Sequence, residues 1–245
     1  MRPGAGLDVE CRDRAGRDIL VLAHNYGEPV ARGRLLRVTG ERRQVIHRGT
    51  AVEIAVSGHT AYLATGRWGR DIMALDLRTG ARRHVATVPR IPGELVVSPD
   101  GRALATVAYH PFGVSHAVVI RPGAARGIRR APLGEGAGGS LAWTSRNRLV
   151  YGGEGSNFRL FDGALRTVRR FRSHFGGSRF IAAHDGTVFG VDRDRLMAAG
   201  LPGLRVRRLA HLPSSDVYDL AAVTGAPPLR TARLACEAAL RPTRR

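Results

Sequence analysis

The chain contains no lysine, and all 39 of its basic residues are arginine. This absence excludes a Schiff-base lysine and a lysine general base as catalytic groups. Aromatic residues make up only 6% of the sequence, and no apolar run approaches the roughly 20 residues that a membrane-spanning helix needs. We therefore expect no membrane span. The N-terminus leads straight into charged sequence, which predicts a cytoplasmic protein, or a secreted one whose own start is missing.

Cysteine is also scarce, with only Cys11 and Cys236 near opposite ends of the chain. They are either two unrelated thiols or a disulfide that joins the ends, which would require an oxidising compartment. The sequence shows no GxSxG nucleophile motif, no phosphate-cradling glycine loop and no paired-cysteine zinc motif. We therefore assign no catalytic residue, no metal ligand and no cofactor, and expect a protein that is not an enzyme.

Positive charge is in excess, with a formal net charge of +19 at pH 7. Hydrophobic residues make up 43% of the chain, enough to bury a core, and the 31 glycines and 13 prolines suit a fold with many turns. A GC-rich genome would explain the use of arginine in place of lysine, but it does not explain this excess of positive charge.

Glycines followed by arginine mark a repeat of about 40 residues. Gly40, Gly80, Gly123, Gly163 and Gly203 are separated by 40, 43, 40 and 40 residues. Four short segments surround each glycine, the first two mostly apolar and the last two progressively more polar. Segments of about five residues between turns rich in Gly, Pro and Asp favour β-strands. Four antiparallel strands per repeat predict one blade of a β-propeller.

We predict an all-β fold in one domain over residues 1–245, a β-propeller of about five to six four-stranded blades. The sixth unit is incomplete, and within it residues 229–241 predict a short C-terminal helix that Pro242 ends. A ring of five blades, a ring of six and an open arc are all compatible with the repeat. The units run over about 7–50, 51–92, 93–136, 137–176, 177–213 and 217–245.

Two turns carry a resemblance to the TolB-like and WD-repeat β-propeller superfamily. DLRTG at 76–80 resembles the usual turn between third and fourth strands, and SPDGR at 98–102 resembles the turn between first and second strands. In the latter, Pro99 presets φ and Gly101 can take a positive φ. The likeness is detailed over 72–107, while the repeat covers most of the chain. It implies a propeller that serves as a binding platform, in a superfamily that also includes enzymes.

The loops between the second and third strands gather the scarce aromatic residues. In such propellers these loops share one face with the connections between blades. Aromatic and charged residues converging on a rigid frame are typical of a recognition surface, although rings at strand ends can also simply cover the core. We predict that this face binds a protein or peptide partner. The candidate residues are Tyr26, Trp68, Tyr109, His110, Phe112 and His116.

A metal-dependent enzyme is one alternative. The resemblance implies this alternative because some propeller enzymes, among them lyases and lactonases, place metal ligands around a central channel. His110 or His116, with Glu154 or Asp192, could bind a divalent ion at the channel mouth. These histidines lack the close spacing of known metal-binding motifs, so the sequence identifies no particular metal or set of ligands.

Polyanion binding is the other alternative. Arginine pairs recur in or just before the fourth strand of each unit, where they would form a basic belt around the rim. Charge on an outer strand discourages edge-to-edge pairing, and clustered arginine also binds phosphates of nucleic acid and other polyanions. The densest part lies between 126 and 172. The candidate residues there are Arg129, Arg130, Arg169, Arg170 and Arg172.

Overall fold

The described part of the chain is almost entirely β-strand. A computed structural model of the chain describes residues 7–14, 18–25, 32–39, 42–124, 127–135, 138–144, 146–153, 157–172, 181–184, 187–192, 195–201 and 205–211. These residues form twenty-one strands and a single 3-10 turn, and they contain no α-helix. No helix in these ranges has the length and apolar character needed to cross a membrane.

The chain divides into two compact units, which are described separately. The described residues of the first unit lie between 7 and 87. They form two four-stranded antiparallel sheets, the first of β1 to β4 and the second of β5 to β8, each in simple chain order. The strands are β1 (Leu7–Arg14), β2 (Asp18–Asn25), β3 (Arg32–Thr39), β4 (Arg42–Thr50), β5 (Glu53–Ser57), β6 (Thr60–Thr65), β7 (Asp71–Asp76) and β8 (Arg82–Thr87).

The second unit contains three sheets, with described residues between 88 and 211. The third sheet runs β10-β11-β12-β13, with β9 paired to the far end of β11; the fourth and fifth sheets run β14 to β17 and β18 to β21. The strands are β9 (Ile91–Pro92), β10 (Val96–Val97), β11 (Leu104–Tyr109), β12 (Val114–Ile120), β13 (Ile128–Glu135), β14 (Gly139–Trp143), β15 (Leu149–Gly153), β16 (Asn157–Phe161), β17 (Thr167–Arg172), β18 (Ile181–His184), β19 (Thr187–Asp192), β20 (Arg195–Gly200) and β21 (Arg205–His211).

Each sheet contains the predicted four antiparallel segments in chain order, and the third sheet has β9 in addition. β15 is buried throughout, and β11 is buried up to its last residue, as continuous apolar runs require when both faces of a strand are covered. By contrast, the first three residues of β8 are exposed, and so are the described side chains of β17. The prediction of four-stranded antiparallel units is therefore confirmed.

One predicted strand is shorter than expected. The first strand of the unit that starts at residue 93 is shorter than the five or so residues predicted for each segment, because β10 covers only Val96–Val97, and β9 pairs separately with the end of β11. The interval still bonds to β11, because Gly93 N–H donates to the Val107 carbonyl at 2.8 Å. The Thr106 hydroxyl in turn donates to the Gly93 carbonyl at 3.1 Å.

Apolar side chains join neighbouring sheets within each unit. In the first unit Leu35 packs with Ile54 and Leu63, and β1 contacts β5. In the second unit one cluster joins the third and fourth sheets around Trp143 and Tyr151. A further cluster packs Phe158, Leu160 and Val150 of the fourth sheet against Val188 and Ala199 of the fifth.

Several predictions lie outside the described residues. These are the incomplete sixth unit, the C-terminal helix over 229–241, Tyr26, and Cys236 with its predicted alternatives of a free thiol or a disulfide to Cys11. The single domain over 1–245 and the number of blades in a closed ring stay predictions.

Candidate functional site: the loop between β11 and β12

The loop between β11 and β12 presents the most exposed aromatic ring of the described chain. β11 ends at Tyr109 and β12 begins at Val114. Phe112, in the connection between them, is 95% exposed, and Tyr109 is more than one-third exposed. A phenylalanine this exposed contributes little to the core of its own chain.

Local hydrogen bonds hold this loop in shape. The His110 N–H donates to the hydroxyl of the buried Ser115 at 3.1 Å. The Phe112 N–H donates to Nδ1 of His110 at 3.3 Å. A Cβ added to Gly113 would lie 3.1 Å from Nε2 of His110, so the imidazole lies against the backbone there. His110 therefore shapes the loop that presents Phe112.

Two further apolar residues, which are not among the predicted site residues, lie at the same end of the third sheet. Ile91 on β9 pairs directly with Tyr109 on β11. Val114 begins β12, and both Ile91 and Val114 are more than one-third exposed. We call Ile91, Tyr109, Phe112 and Val114 the apolar end of the third sheet. Neither Ile91 nor Val114 stands out in sequence, because only strand pairing brings Ile91 to Tyr109.

His116 lies apart from the loop, within β12. It pairs with Ala108 on one side and Pro132 on the other, and it is half-buried. Among the described residues no three His, Cys, Asp or Glu side chains group as a metal site. Glu154 and the side chain of Asp192 lie outside them. The metal hypothesis therefore stays a prediction.

Trp68 occupies the matching loop of the second sheet, in the first unit. It lies between β6 and β7 in the 3-10 turn Arg67–Gly69, with φ of 66°. Trp68 is 45% exposed. The Gly66 N–H donates to the Thr50 hydroxyl at 3.0 Å, and the Thr65 hydroxyl donates to the Asp71 carbonyl at 2.9 Å. Hydrogen bonds thus fix the residues just before the turn. That Trp68 and Phe112 share a single face stays a prediction.

The predicted arginine pairs lie on fourth strands, and their described side chains are exposed. Arg172 on β17 and the pair on β4 have side chains outside the described residues. A belt that binds polyanions stays a prediction. The exposed pairs are Arg82 and Arg83 on β8, Arg129 and Arg130 on β13, Arg169 and Arg170 on β17, and Arg207 and Arg208 on β21.

One arginine of the same region has a structural role. Arg159 on β16 donates from Nη1 to the Pro132 carbonyl and from Nη2 to the Leu133 carbonyl, both at 2.6 Å. Burial, and secondarily the charge of Arg170, lowers the pKa of Arg159 from its usual value. Arg159 therefore joins the fourth sheet to the outer strand of the third.

Comparisons with known proteins identify the fold and no closer relationship. No protein-family model matches the chain, and no curated protein matches it. Among solved structures, it is similar to the β-propeller domain of Cps50 (Swd1) from Myceliophteria thermophila. That match has a TM-score of 0.59 at 12% identity, and covers 83% of this chain and 67% of the other.

A second similar structure is hydrazine synthase from Kuenenia stuttgartiensis. Its TM-score is 0.58 at 16% identity, covering 78% of this chain and 62% of the synthase chain. The chain thus spans less than two thirds of the length of the synthase chain. These likenesses, together with the antiparallel four-stranded sheets, show an all-β fold of the β-propeller class. A TolB-like relationship in particular stays a prediction, and the fold alone assigns no function.

Proposed function

We propose that this protein is a non-enzymatic β-propeller platform that binds a protein or peptide partner through the apolar end of the third sheet. The observation that carries the proposal is the 95% exposure of Phe112 on a loop that hydrogen bonds hold in place. Covering a phenylalanine side chain contributes about 1.5–3 kcal/mol. Aromatic anchors of this kind are enriched at the centres of protein interfaces.

The neighbourhood of Phe112 suits an extended apolar contact. Ile91 and Tyr109 pair across β9 and β11, and Val114 begins the next strand. Together they add further exposed apolar surface at the end of the sheet that carries Phe112. A partner that inserts an apolar side chain beside Phe112 would bury all four groups, and a preorganised site reduces the entropy lost on binding.

The charge of the chain indicates an acidic partner. The net charge is +19, and Arg90 is exposed directly before Ile91. Complementary charge raises association rates and disfavours other basic proteins. We therefore propose a partner with an acidic surface around an apolar contact point.

The first prediction concerns truncation of Phe112 and Tyr109 to alanine. A partner is captured from lysate of the native host, with nuclease and raised salt, and its affinity for purified variants is then measured by calorimetry. We expect Phe112→Ala together with Tyr109→Ala to weaken binding by at least about tenfold, because the loss of an aromatic anchor costs about 2 kcal/mol or more. Trp68→Ala tests whether the matching loop of the second sheet contributes.

The matched control truncates exposed apolar residues on outer strands. Val168 on β17 and Leu209 on β21 are also more than one-third exposed. Val168→Ala and Leu209→Ala should leave affinity unchanged. Equal affinity of the Phe112→Ala, Tyr109→Ala variant and the natural chain would refute the proposed site. A partner lost on nuclease treatment would favour polyanion binding instead.

A further inference from the structure

A cleft of about 320 Å³ opens in the second unit, at the other end of β11 from Phe112. It is lined by turns of the third and fourth sheets. Clefts of roughly 300–1,000 Å³ are the usual size of small-molecule sites. The cleft and the apolar end of the third sheet lie at opposite ends of β11, which has six residues. At about 3.3 Å per residue, the length of this strand separates them. The lining includes Asp100, Arg102, Ala103, Arg121, Trp143 and Asn147.

Hydrogen bonds between the two sheets fix the walls of this cleft. Asn147 Nδ2 donates to Asp100 Oδ2 at 3.0 Å. Arg121 Nη2 donates to the Gly163 carbonyl at 2.7 Å. The indole Nε1–H of Trp143 donates to the Val96 carbonyl at 3.3 Å. Each bond joins a residue of the third sheet to a residue of the fourth, so the cleft exists before any ligand enters.

The charge that remains for a ligand is positive. Asp100 is the carboxylate of the lining, and both its oxygens are already engaged. Oδ1 accepts from the Ser98 hydroxyl at 2.6 Å and from the Arg102 N–H at 3.0 Å, while Oδ2 accepts from Asn147. The lining thus has two guanidinium groups, those of Arg102 and Arg121, against one carboxylate. Arg121 donates one of its five N–H groups to the Gly163 carbonyl, which leaves the others for a ligand.

The floor of the cleft is apolar. Trp143 is 8% exposed, and its ring is held by the bond to Val96. Ala103 is also buried beside it in the core cluster of the third and fourth sheets. The cleft therefore combines an apolar floor with cationic, fork-shaped donors at its rim, which match carboxylate and phosphate oxygens.

We propose that this cleft binds a small organic anion. Its carboxylate or phosphate lies against Arg102 and Arg121, and its apolar or aromatic body covers Trp143 and Ala103. This site is separate from the protein-binding loop, so either can exist without the other.

The test uses benzoate and phenyl phosphate as probes, with benzyl alcohol as the neutral analogue. The chain has two tryptophans, so Trp68→Phe leaves Trp143 as the only one. We expect at least one of the two anions to change the fluorescence emission of Trp143 with a dissociation constant below about 1 mM. Benzyl alcohol, which carries no charge, should bind at least about tenfold more weakly. Whichever anion binds more tightly identifies a carboxylate or a phosphate as the natural ligand group.

Arginine variants test the assigned contacts. Arg102→Gln should weaken anion binding about tenfold or more, since hydrogen bonds between charged groups are the strong ones. Arg146→Gln is the matched control, because Arg146 is exposed beside Asn147 but does not line the cleft. It should change the affinity by less than about twofold. The melting temperature of the unsubstituted chain, which should rise with the same anions, provides a second measurement.

Three results would overturn the proposal. The first is unchanged Trp143 emission and unchanged melting temperature with either anion up to about 10 mM. The second is equal binding of benzyl alcohol, which would leave no role for the arginines. The third is an equal loss of affinity in Arg102→Gln and Arg146→Gln, which would indicate a response to net charge alone.

Discussion

At the scale of single residues, His47 on β4 is the most unusual titratable group described. It is 8% exposed, and neither ring nitrogen has a hydrogen-bond partner among the described residues. Desolvation by burial, with a smaller contribution from the charge of Arg82, lowers the pKa of His47 below its ordinary value of 6.5. The buried imidazole is therefore neutral at pH 7, and protonating it would place an unpaired charge in the core.

This burial predicts a pH-dependent stability. A proton binds His47 more tightly in the unfolded chain than in the folded chain. The free energy of unfolding therefore rises with pH between the lowered pKa of the folded chain and the ordinary pKa of about 6.5. The contribution is complete above about pH 6.5 and is lost as the pH falls from there toward the lowered pKa. We expect thermal unfolding to show a smaller drop in melting temperature between about pH 7.5 and pH 5.5 in His47→Leu than in the natural chain.

The control for this prediction is His84→Leu. His84 is exposed on β8, where its ring bonds the Thr87 hydroxyl at 3.1 Å. Because an exposed ring is hydrated in both the folded and the unfolded chain, His84→Leu should change the pH dependence by clearly less than His47→Leu does. If His47→Leu and the natural chain lose melting temperature in parallel, His47 is not the source of the dependence.

At the scale of elements, aspartates close three of the turns. Asp76 accepts from the N–H groups of Arg78 and Thr79 at 2.7 and 2.9 Å. Asp100 accepts from the Arg102 N–H, and Asp162 accepts from those of Ala164 and Arg166 at 2.8 and 2.9 Å. These three turns thus have a physical reason for their aspartates, since a short carboxylate satisfies the N–H groups of a tight turn.

The turn between β16 and β17 gives a prediction at this scale. Backbone hydrogen bonds, chiefly from Arg166, lower the pKa of Asp162. Asp162→Ala removes the acceptor for two N–H groups and the ion pair with Arg166 Nε at 2.7 Å. We expect a melting temperature lower by a few degrees at pH 7. The difference from the natural chain should shrink in acid, because the favourable carboxylate is lost as the pH falls below about 4 toward the lowered pKa.

Arg166→Ala separates the contribution of the ion pair to stability from that of the backbone hydrogen bonds that Asp162 accepts. It removes the exposed ion pair and leaves the backbone bonds, so its effect should be clearly smaller. Equal losses in Asp162→Ala and Arg166→Ala would mean that the ion pair, and not the turn, carries the stability.

The outer strand of each sheet also carries a β-bulge. In all five sheets the register between third and fourth strands shifts by one residue. Such a bulge twists a strand and hinders the addition of another strand to the edge. The arginine pairs act in the same direction by charge. The residues skipped by the register are Ile46, Val85, Leu133, Val168 and Leu209.

At the scale of the whole molecule, the net charge of +19 should attract polyanions whatever else the protein binds. If the outer-strand arginines form the binding surface, each contact releases counterions. We expect affinity for mixed-sequence single-stranded DNA to fall steeply with salt, and Arg129→Gln with Arg130→Gln to reduce the slope by about 1.4. Fluorescence anisotropy at several salt concentrations measures this slope.

The control removes two charges elsewhere. Arg90 and Arg146 are exposed outside the outer strands, and Arg90→Gln with Arg146→Gln should leave the slope unchanged. Affinity that varies little with salt would refute binding through the arginine belt. A slope lowered equally by both double variants would indicate diffuse attraction without a defined surface.

The local sequence predicted the strands and turns because their signals lie within a few residues. Apolar runs gave the buried second strands such as β15. Turn residues marked the tight turns at Asp76 and Asp100. It also placed Phe112 and Trp68 in loops between second and third strands. Each of these depends on short-range chemistry that a single sequence carries in full.

Tertiary structure alone decided which distant residues meet. Asp100 and Asn147 are 47 positions apart, and Arg121 and Gly163 are 42 apart, yet both pairs line one cleft. Arg159 belongs to the arginine-rich region, but packing between sheets assigns it to the carbonyls of β13. Ile91 reaches Tyr109 only through the pairing of β9 and β11. The repeat determines the order of strands within each sheet, whereas contacts between sheets depend on register and side-chain packing that no local pattern encodes.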